Sequence, residues 1–152
     1  MKVVVCSDNH GLIAPLKEIL EDYKDADAFL HCGDSELPPN LMAPFHVVTG
    51  NNDYDHEYPE SLVVEVSGVR FLIIHGHQFY MNRTQALAKE AKKRNCDVVC
   101  YGHTHVYDVK EVDGILCVNP GSLRYNRDQT PPCYAVIERI DGNLIVTRHL
   151  TP

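Results

Sequence analysis

Short apolar runs at residues 3–6, 28–30, 46–48, 71–74, 98–101 and 115–118 are each followed closely by polar, mostly glycine-bearing segments. Runs of this length predict core strands, and their near-continuous apolar character, in place of alternation, suits sheets covered on both faces. Leu12, Leu16, Ile19, Leu20 and Tyr23 recur at helical spacing, with Pro15 acceptable in a first turn, so a crossover helix is predicted over residues 12–23. A second helix is predicted over 84–94, rich in Ala, Lys and Glu and preceded by Asn82 as a cap, and a short helical turn over 36–42. Beyond residue 60 the texture changes. Strand-like pairs 61–66 and 70–74, 106–112 and 115–118, and 134–140 and 144–150 flank Ser67-Gly68, Asp113-Gly114 and Asp141-Gly142-Asn143, which predicts three antiparallel hairpins. The pattern alone predicts an α/β protein.

A length of 152 residues predicts one domain over 1–152, and no apolar run approaches the roughly 18 residues of a membrane span. The start, Met1 to Cys6, enters a strand directly and lacks the longer apolar stretch of a secretory signal, so a cytoplasmic protein is expected. Cys6, Cys32, Cys96, Cys100, Cys117 and Cys133 sit in or beside apolar runs, form no C-x-x-C pair, and read as buried thiols in a reducing compartment. A net charge of −7 and a single basic trio, Lys92-Lys93-Arg94, disfavour nucleic acid as a partner; the trio suits the dipole of a helix end. Surface hairpins are compatible with a homo-oligomer, and no residue pattern demands one.

Five polar clusters follow the apolar runs: Asp8-Asn9-His10, Gly33-Asp34, Gly50-Asn51-Asn52-Asp53, His75-Gly76-His77 and Gly102-His103-Thr104-His105. The C-terminal ends of strands are where open α/β sheets build their sites. Asp8 and His10 stand two apart, so on extended chain both side chains leave the same side and can grip one ion; His103 and His105 repeat that spacing. Glycines before Asp34, Asn51 and His103 permit tight turns. Imidazole, carboxylate and amide ligands together suit Mn²⁺, Fe, Zn²⁺ or Ni²⁺ better than Mg²⁺ or Ca²⁺.

The order D-x-H, G-D, G-N, H-G-H, G-H-x-H resembles the calcineurin-like metallophosphoesterase superfamily over nearly the whole chain. The stretches Gly50 to Asp53, Pro59, Val66-Ser67-Gly68, Ile74 to His77 and Asn119-Pro120-Gly121-Ser122 are most similar to its small bacterial and archaeal phosphodiesterases. The resemblance implies a four-layer α/β/β/α sandwich of two mixed sheets flanked by helices. It implies two divalent metal ions, Mn²⁺ by family habit: Asp8, His10 and His105 on one, Asn51, His75 and His103 on the other, and Asp34 bridging both. A metal-bridging hydroxide then attacks phosphorus in line on a small phosphodiester or nucleotide-like substrate, and no nucleophilic side chain is required.

Around that set, Asp53 is expected to orient His10 or a neighbouring ligand, and His77 to lie near the site for phosphate contact or ligand support. Asn52 stands where many members of the superfamily have a proton-donating histidine, and an amide cannot act as a general acid. Phenolic diesters are therefore expected to be better substrates than alkyl monoesters. Arg124, and less so Arg83, are candidates for substrate phosphate, as is Asn52; the backbone N–H groups of residues 119–122 are candidates to line the site. His31, His46, His56 and His149 read as structural histidines. The competing functions are a non-catalytic metal-binding scaffold for protein assembly, as in a retromer subunit of this fold, and a nuclease. The intact His10 argues against the first, small size and acidic charge against the second.

Overall fold

The computed structural model describes residues 1–54 and 57–151. His56 lies outside the described residues. In chain order the elements are β1 (Lys2–Cys6), α1 (Ala14–Asp22), β2 (Ala28–His31), a 3₁₀ turn (Pro39–Leu41), β3 (His46–Val47), β4 (Ser61–Val66), β5 (Val69–Ile74), α2 (Arg83–Lys93), β6 (Val98–Cys100), β7 (Asp108–Val112), β8 (Ile115–Asn119), β9 (Cys133–Ile140) and β10 (Asn143–Leu150). They form two five-stranded sheets, ordered β10-β9-β1-β2-β3 and β4-β5-β6-β8-β7. Both are mixed: β1-β2, β2-β3, β5-β6 and β6-β8 are parallel, and the three hairpins and β1-β9 are antiparallel.

The period of two along each strand explains why the runs are apolar throughout. Val3, Val5 and Leu30 of the first sheet meet Phe71, Ile73, Val98 and Cys100 of the second in one core between the sheets. The alternate residues Val4 and Cys6 turn outward onto Leu16 and Ile19 of α1. Leu72, Ile74 and Val99 turn outward onto Leu87, Ala88 and Ala91 of α2. The result is the four-layer α/β/β/α sandwich. All six cysteines are buried free thiols, and among the described residues no helix is long and apolar enough to cross a membrane.

The differences from expectation are local. Helix α1 starts at Ala14, and Leu12 and Ile13 remain exposed ahead of it, with Pro15 in the first turn. Asn82 precedes α2 in a left-handed conformation and makes no side-chain cap bond. The helical turn over 36–42 shrinks to the 3₁₀ turn at Pro39–Leu41, because Pro39 suits only a first helical position. The strand predicted from 106 begins at Asp108.

Candidate metal centre

The five clusters singled out in the sequence converge at one end of the two sheets. Asp8 follows β1, Asp34 follows β2, Asn51 follows β3, His75 follows β5 directly, and His103 and His105 follow β6. The expected extended geometry of the D-x-H and H-x-H pairs is not what forms. Asp8, His10, Asp34, His103 and His105 all have left-handed backbone, with φ of 55°, 44°, 57°, 69° and 57°. A non-glycine residue there costs roughly 1–2 kcal/mol, and concentrating five at one place marks a site whose geometry the surrounding fold imposes.

Two ligand groups result, meeting at Asp8. In the first, His105 Nε2 lies 3.3 Å and His10 Nε2 3.8 Å from Asp8 Oδ1, and the two imidazole nitrogens are 3.1 Å apart. In the second, His75 Nε2 lies 3.4 Å from Asp34 Oδ2, 3.9 Å from Asp8 Oδ1 and 3.0 Å from Asn51 Oδ1, which is also 3.1 Å from His103 Nδ1. His103 and His105 thus divide between the two groups. The carboxylate common to both three-residue clusters is Asp8, whereas Asp34 belongs to the second.

The ring orientations are set from behind. The Nδ1–H groups of His10, His75 and His105 donate to Glu36 Oε1 at 2.7 Å, the Cys32 carbonyl at 2.7 Å and the Tyr125 carbonyl at 3.0 Å. Because those oxygens only accept, Nδ1 carries the proton and each Nε2 presents a lone pair to the centre. Asp8 Oδ2 accepts from Ser7 Oγ at 2.6 Å and from the His103 N–H at 3.1 Å, but Oδ1 is buried and accepts no hydrogen bond. Imidazole nitrogens gathered around a buried carboxylate oxygen that accepts no hydrogen bond fit a metal ion.

Charge coupling holds both carboxylates ionised, as cation ligands must be. Burial pushes the Asp8 carboxyl up, but His105 and His75, with the Ser7 hydroxyl, outweigh it and hold it low. Burial likewise opposes ionisation of Asp34, and the His75 contact together with Asn52 holds it well below the usual carboxylate range. His75 is raised, its burial outweighed by Asp34 and Asp8. His103 is depressed to about 4, by burial first and then by His75 and Arg83, so it is neutral at pH 7 and ready as a ligand.

The supporting residues refine the expected picture. Of the two alternatives for Asp53, the contact is with the neighbouring residue Asp34 and not with His10, and it is made through backbone: the carboxylate accepts the N–H groups of Asp34, Glu36 and Gly50, each at 2.8 Å, and so locks two loops together. The partner of His10 is Glu36, which periodicity and motif spacing gave no reason to select. Residues 119–122 turn their N–H groups inward: Gly121 N–H donates to Asn119 Oδ1 and Ser122 N–H to Asn126 Oδ1. Ser122 Oγ donates to the Asp8 carbonyl at 2.8 Å and Asn119 Nδ2 to the Gly102 carbonyl at 3.1 Å, so the segment braces the ligand loops from outside the centre. Gly50 is forced by close approach, since a Cβ there would stand 2.5 Å from the Asp34 nitrogen.

Asn52 bonds both oxygens of Asp34, through its N–H and its Nδ2, each at 2.9 Å. His77 sits beside the second group, its ring centroid 5.3 Å from His75 and 6.2 Å from His103, with a buried Nδ1 that has no hydrogen-bond partner. Arg124 donates to the His10 carbonyl at 3.1 Å and is exposed. His31 is structural: its Nε2–H donates to Asn9 and its Nδ1 accepts the Gly33 N–H. His149 stacks on Tyr134, and His46 is exposed on the edge strand β3.

Residues 1–142 match the family profile described as the calcineurin-like phosphoesterase superfamily domain. The chain belongs to that superfamily. Among its relatives, a probable metallophosphoesterase of Bacillus subtilis, YsnB, is 33% identical over 141 residues, covering 90% of this chain and 83% of the relative. A phosphodiesterase of Methanocaldococcus jannaschii is 29% identical, covering 80% of this chain and 83% of its own length. The crystal structure of a conserved uncharacterized protein of Streptococcus pneumoniae superposes with a TM-score of 0.90 at 35% identity, covering 97% of this chain and 87% of that one. The two side-chain groups that could hold a metal ion are consistent with the metal dependence of that family.

Proposed function

We propose that the protein is a dinuclear metal-dependent phosphodiesterase, acting in the cytoplasm as a single domain on a small phosphodiester or nucleotide-like substrate. One ion is held by Asp8, His10 and His105 and the other by Asn51, His75 and His103; Asp34 lies beside the second, where it is available to both. Mn²⁺ is the preferred metal, with Ni²⁺, Zn²⁺ and Fe accepted by the same donors. When bound, two such ions supply an activated water and positive charge for the phosphoryl oxygens. The observation that carries the reading is the buried, unbonded Asp8 Oδ1 ringed by imidazole nitrogens whose protons are committed elsewhere.

The chain's own part is positional. Glu36 and the carbonyls of Cys32 and Tyr125 hold three imidazoles in the ligating tautomer. Asn52 fixes both Asp34 oxygens and has no proton to give a leaving group, which favours esters whose leaving oxygen needs none. The M. jannaschii relative's designation as a phosphodiesterase supports the diester preference. Native mass spectrometry of metal-stripped protein titrated with Mn²⁺ tests the centre: two ions are expected in the wild type and one in His75→Ala. A single ion at saturation in the wild type contradicts a dinuclear centre.

A further inference from the structure

A cleft of about 280 Å³ adjoins the metal-ligand loops on the α2 side, lined by Arg83, Thr84, Tyr101, Thr104, Val106, Tyr107 and Asp108. Thr104 lies between the ligands His103 and His105, so the cleft shares a wall with the centre. Arg83 is built into it. Its Nε–H is shared between the carbonyls of Gly76, at 3.0 Å, and Phe79, at 2.9 Å, both in the turn that follows the ligand His75. Gly76 takes a positive φ of 99° in that turn, a conformation that favours glycine.

Those two bonds leave the terminal amino groups of Arg83 uncommitted. No described residue accepts from either, and none pairs its charge. Arg83 is half-buried, fixed through Nε and part of the cleft lining, and a guanidinium with both terminal amino groups available can pair two N–H groups with two oxygens of a phosphate. Asp108, the one acidic residue among the described residues lining the cleft, is partly exposed and lies 3.9 Å from Lys110 Nζ, which offsets its charge. In a chain of net charge −7, Arg83 is a cation near the ligand loops with no ion pair among the described residues, and so can receive an anion.

We propose that this cleft is an anion subsite, in which Arg83 receives a second phosphate group of the substrate while the ester to be cleaved lies at the metal-ligand groups. The substrate class is then a phosphodiester carrying a further phosphate, as a phosphorylated nucleotide does. The proposal rests on the phosphodiesterase reading for what is cleaved, and on the cleft alone for what is bound.

The test compares the p-nitrophenyl ester of thymidine 5′-phosphate with the same ester bearing a 3′-phosphate. The wild type is expected to favour the 3′-phosphorylated ester at least tenfold in kcat/KM, through KM, and Arg83→Gln to bring that ratio to about one. Because Arg83→Gln also removes the bonds to Gly76 and Phe79, Val106→Phe is measured beside it; it fills the cleft, leaves those bonds, and is expected to lower the ratio at least threefold. A wild-type ratio near one, or a ratio unchanged in either variant, overturns the subsite. If neither ester is hydrolysed, the phosphodiesterase reading fails separately. Inorganic phosphate titrated into metal-stripped protein then decides: saturable binding lost in Arg83→Gln supports the subsite, and no binding overturns it.

Discussion

Glu36 Oε1 lies 2.7 Å from His10 Nδ1, and the Glu36 N–H is itself held by Asp53 Oδ1 at 2.8 Å. One residue therefore connects the D-x-H loop to the G-N loop and decides which His10 nitrogen faces the centre. Losing such a partner weakens metal affinity about 10–100-fold. Glu36→Ala is expected to do so for the ion at Asp8, His10 and His105, with a smaller effect on the other ion, and Glu36→Gln, which keeps an acceptor oxygen, to lose less. Calorimetric titration of metal-stripped protein with Mn²⁺ separates the two; equal loss at both ions contradicts the assignment.

Asp53 is a structural clamp. Its buried carboxylate satisfies three backbone donors, and an unsatisfied buried donor costs roughly 1–3 kcal/mol. Asp53→Ala is expected to lower stability by about 3 kcal/mol or more, read as a lower midpoint in urea unfolding of the metal-free protein. A loss confined to metal affinity, with stability intact, contradicts the clamp.

His31 makes the metal-free protein acid-sensitive. Burial depresses its pKa to about 4, and its bonds to Asn9 and Gly33 require the neutral ring. The unfolded chain takes up a proton near pH 6.5 and the folded one does not, so this contribution is complete above pH 6.5 and falls away as pH drops towards 4. Between pH 6.5 and 5 it amounts to about 2 kcal/mol, and His31→Gln, though less stable at pH 7, is expected to lose correspondingly less over that range. Parallel stability curves for the two proteins contradict this.

Asn52, tied to Asp34 by two bonds, cannot protonate a leaving group. Alkyl diesters are therefore expected to react about 10²–10⁴-fold more slowly, relative to p-nitrophenyl diesters, than an enzyme with a general acid would allow. A leaving-group series checks this: rates should fall steeply with leaving-group pKa. A flat dependence would show a proton donor acting at the site.

Much of this was legible in the chain because it depends on period and order. The strands and both helices announced themselves through apolar spacing, and the ligand residues through five clusters placed after strands. The two-faced burial of β1, with Val3 and Val5 against the other sheet and Val4 and Cys6 against α1, is what made its run continuous. What the chain did not show was tertiary. Glu36 reaches His10 across 26 positions and Ser122 reaches Asp8 across 114, so neither contact leaves a local signal. Asp8 and His10 do meet, as their two-residue spacing suggests, but through left-handed backbone in place of extended chain, in loops pinned by Asp53 and Ser122.

The most direct measurement is hydrolysis of bis-p-nitrophenyl phosphate by metal-stripped protein before and after Mn²⁺ is returned, with Asp34→Asn and His75→Ala alongside. The proposed centre predicts no turnover without metal, restoration by Mn²⁺, and a loss of roughly 10²-fold or more in both variants. Absence of turnover with Mn²⁺, Ni²⁺, Zn²⁺ or Mg²⁺, despite two ions bound, would contradict it.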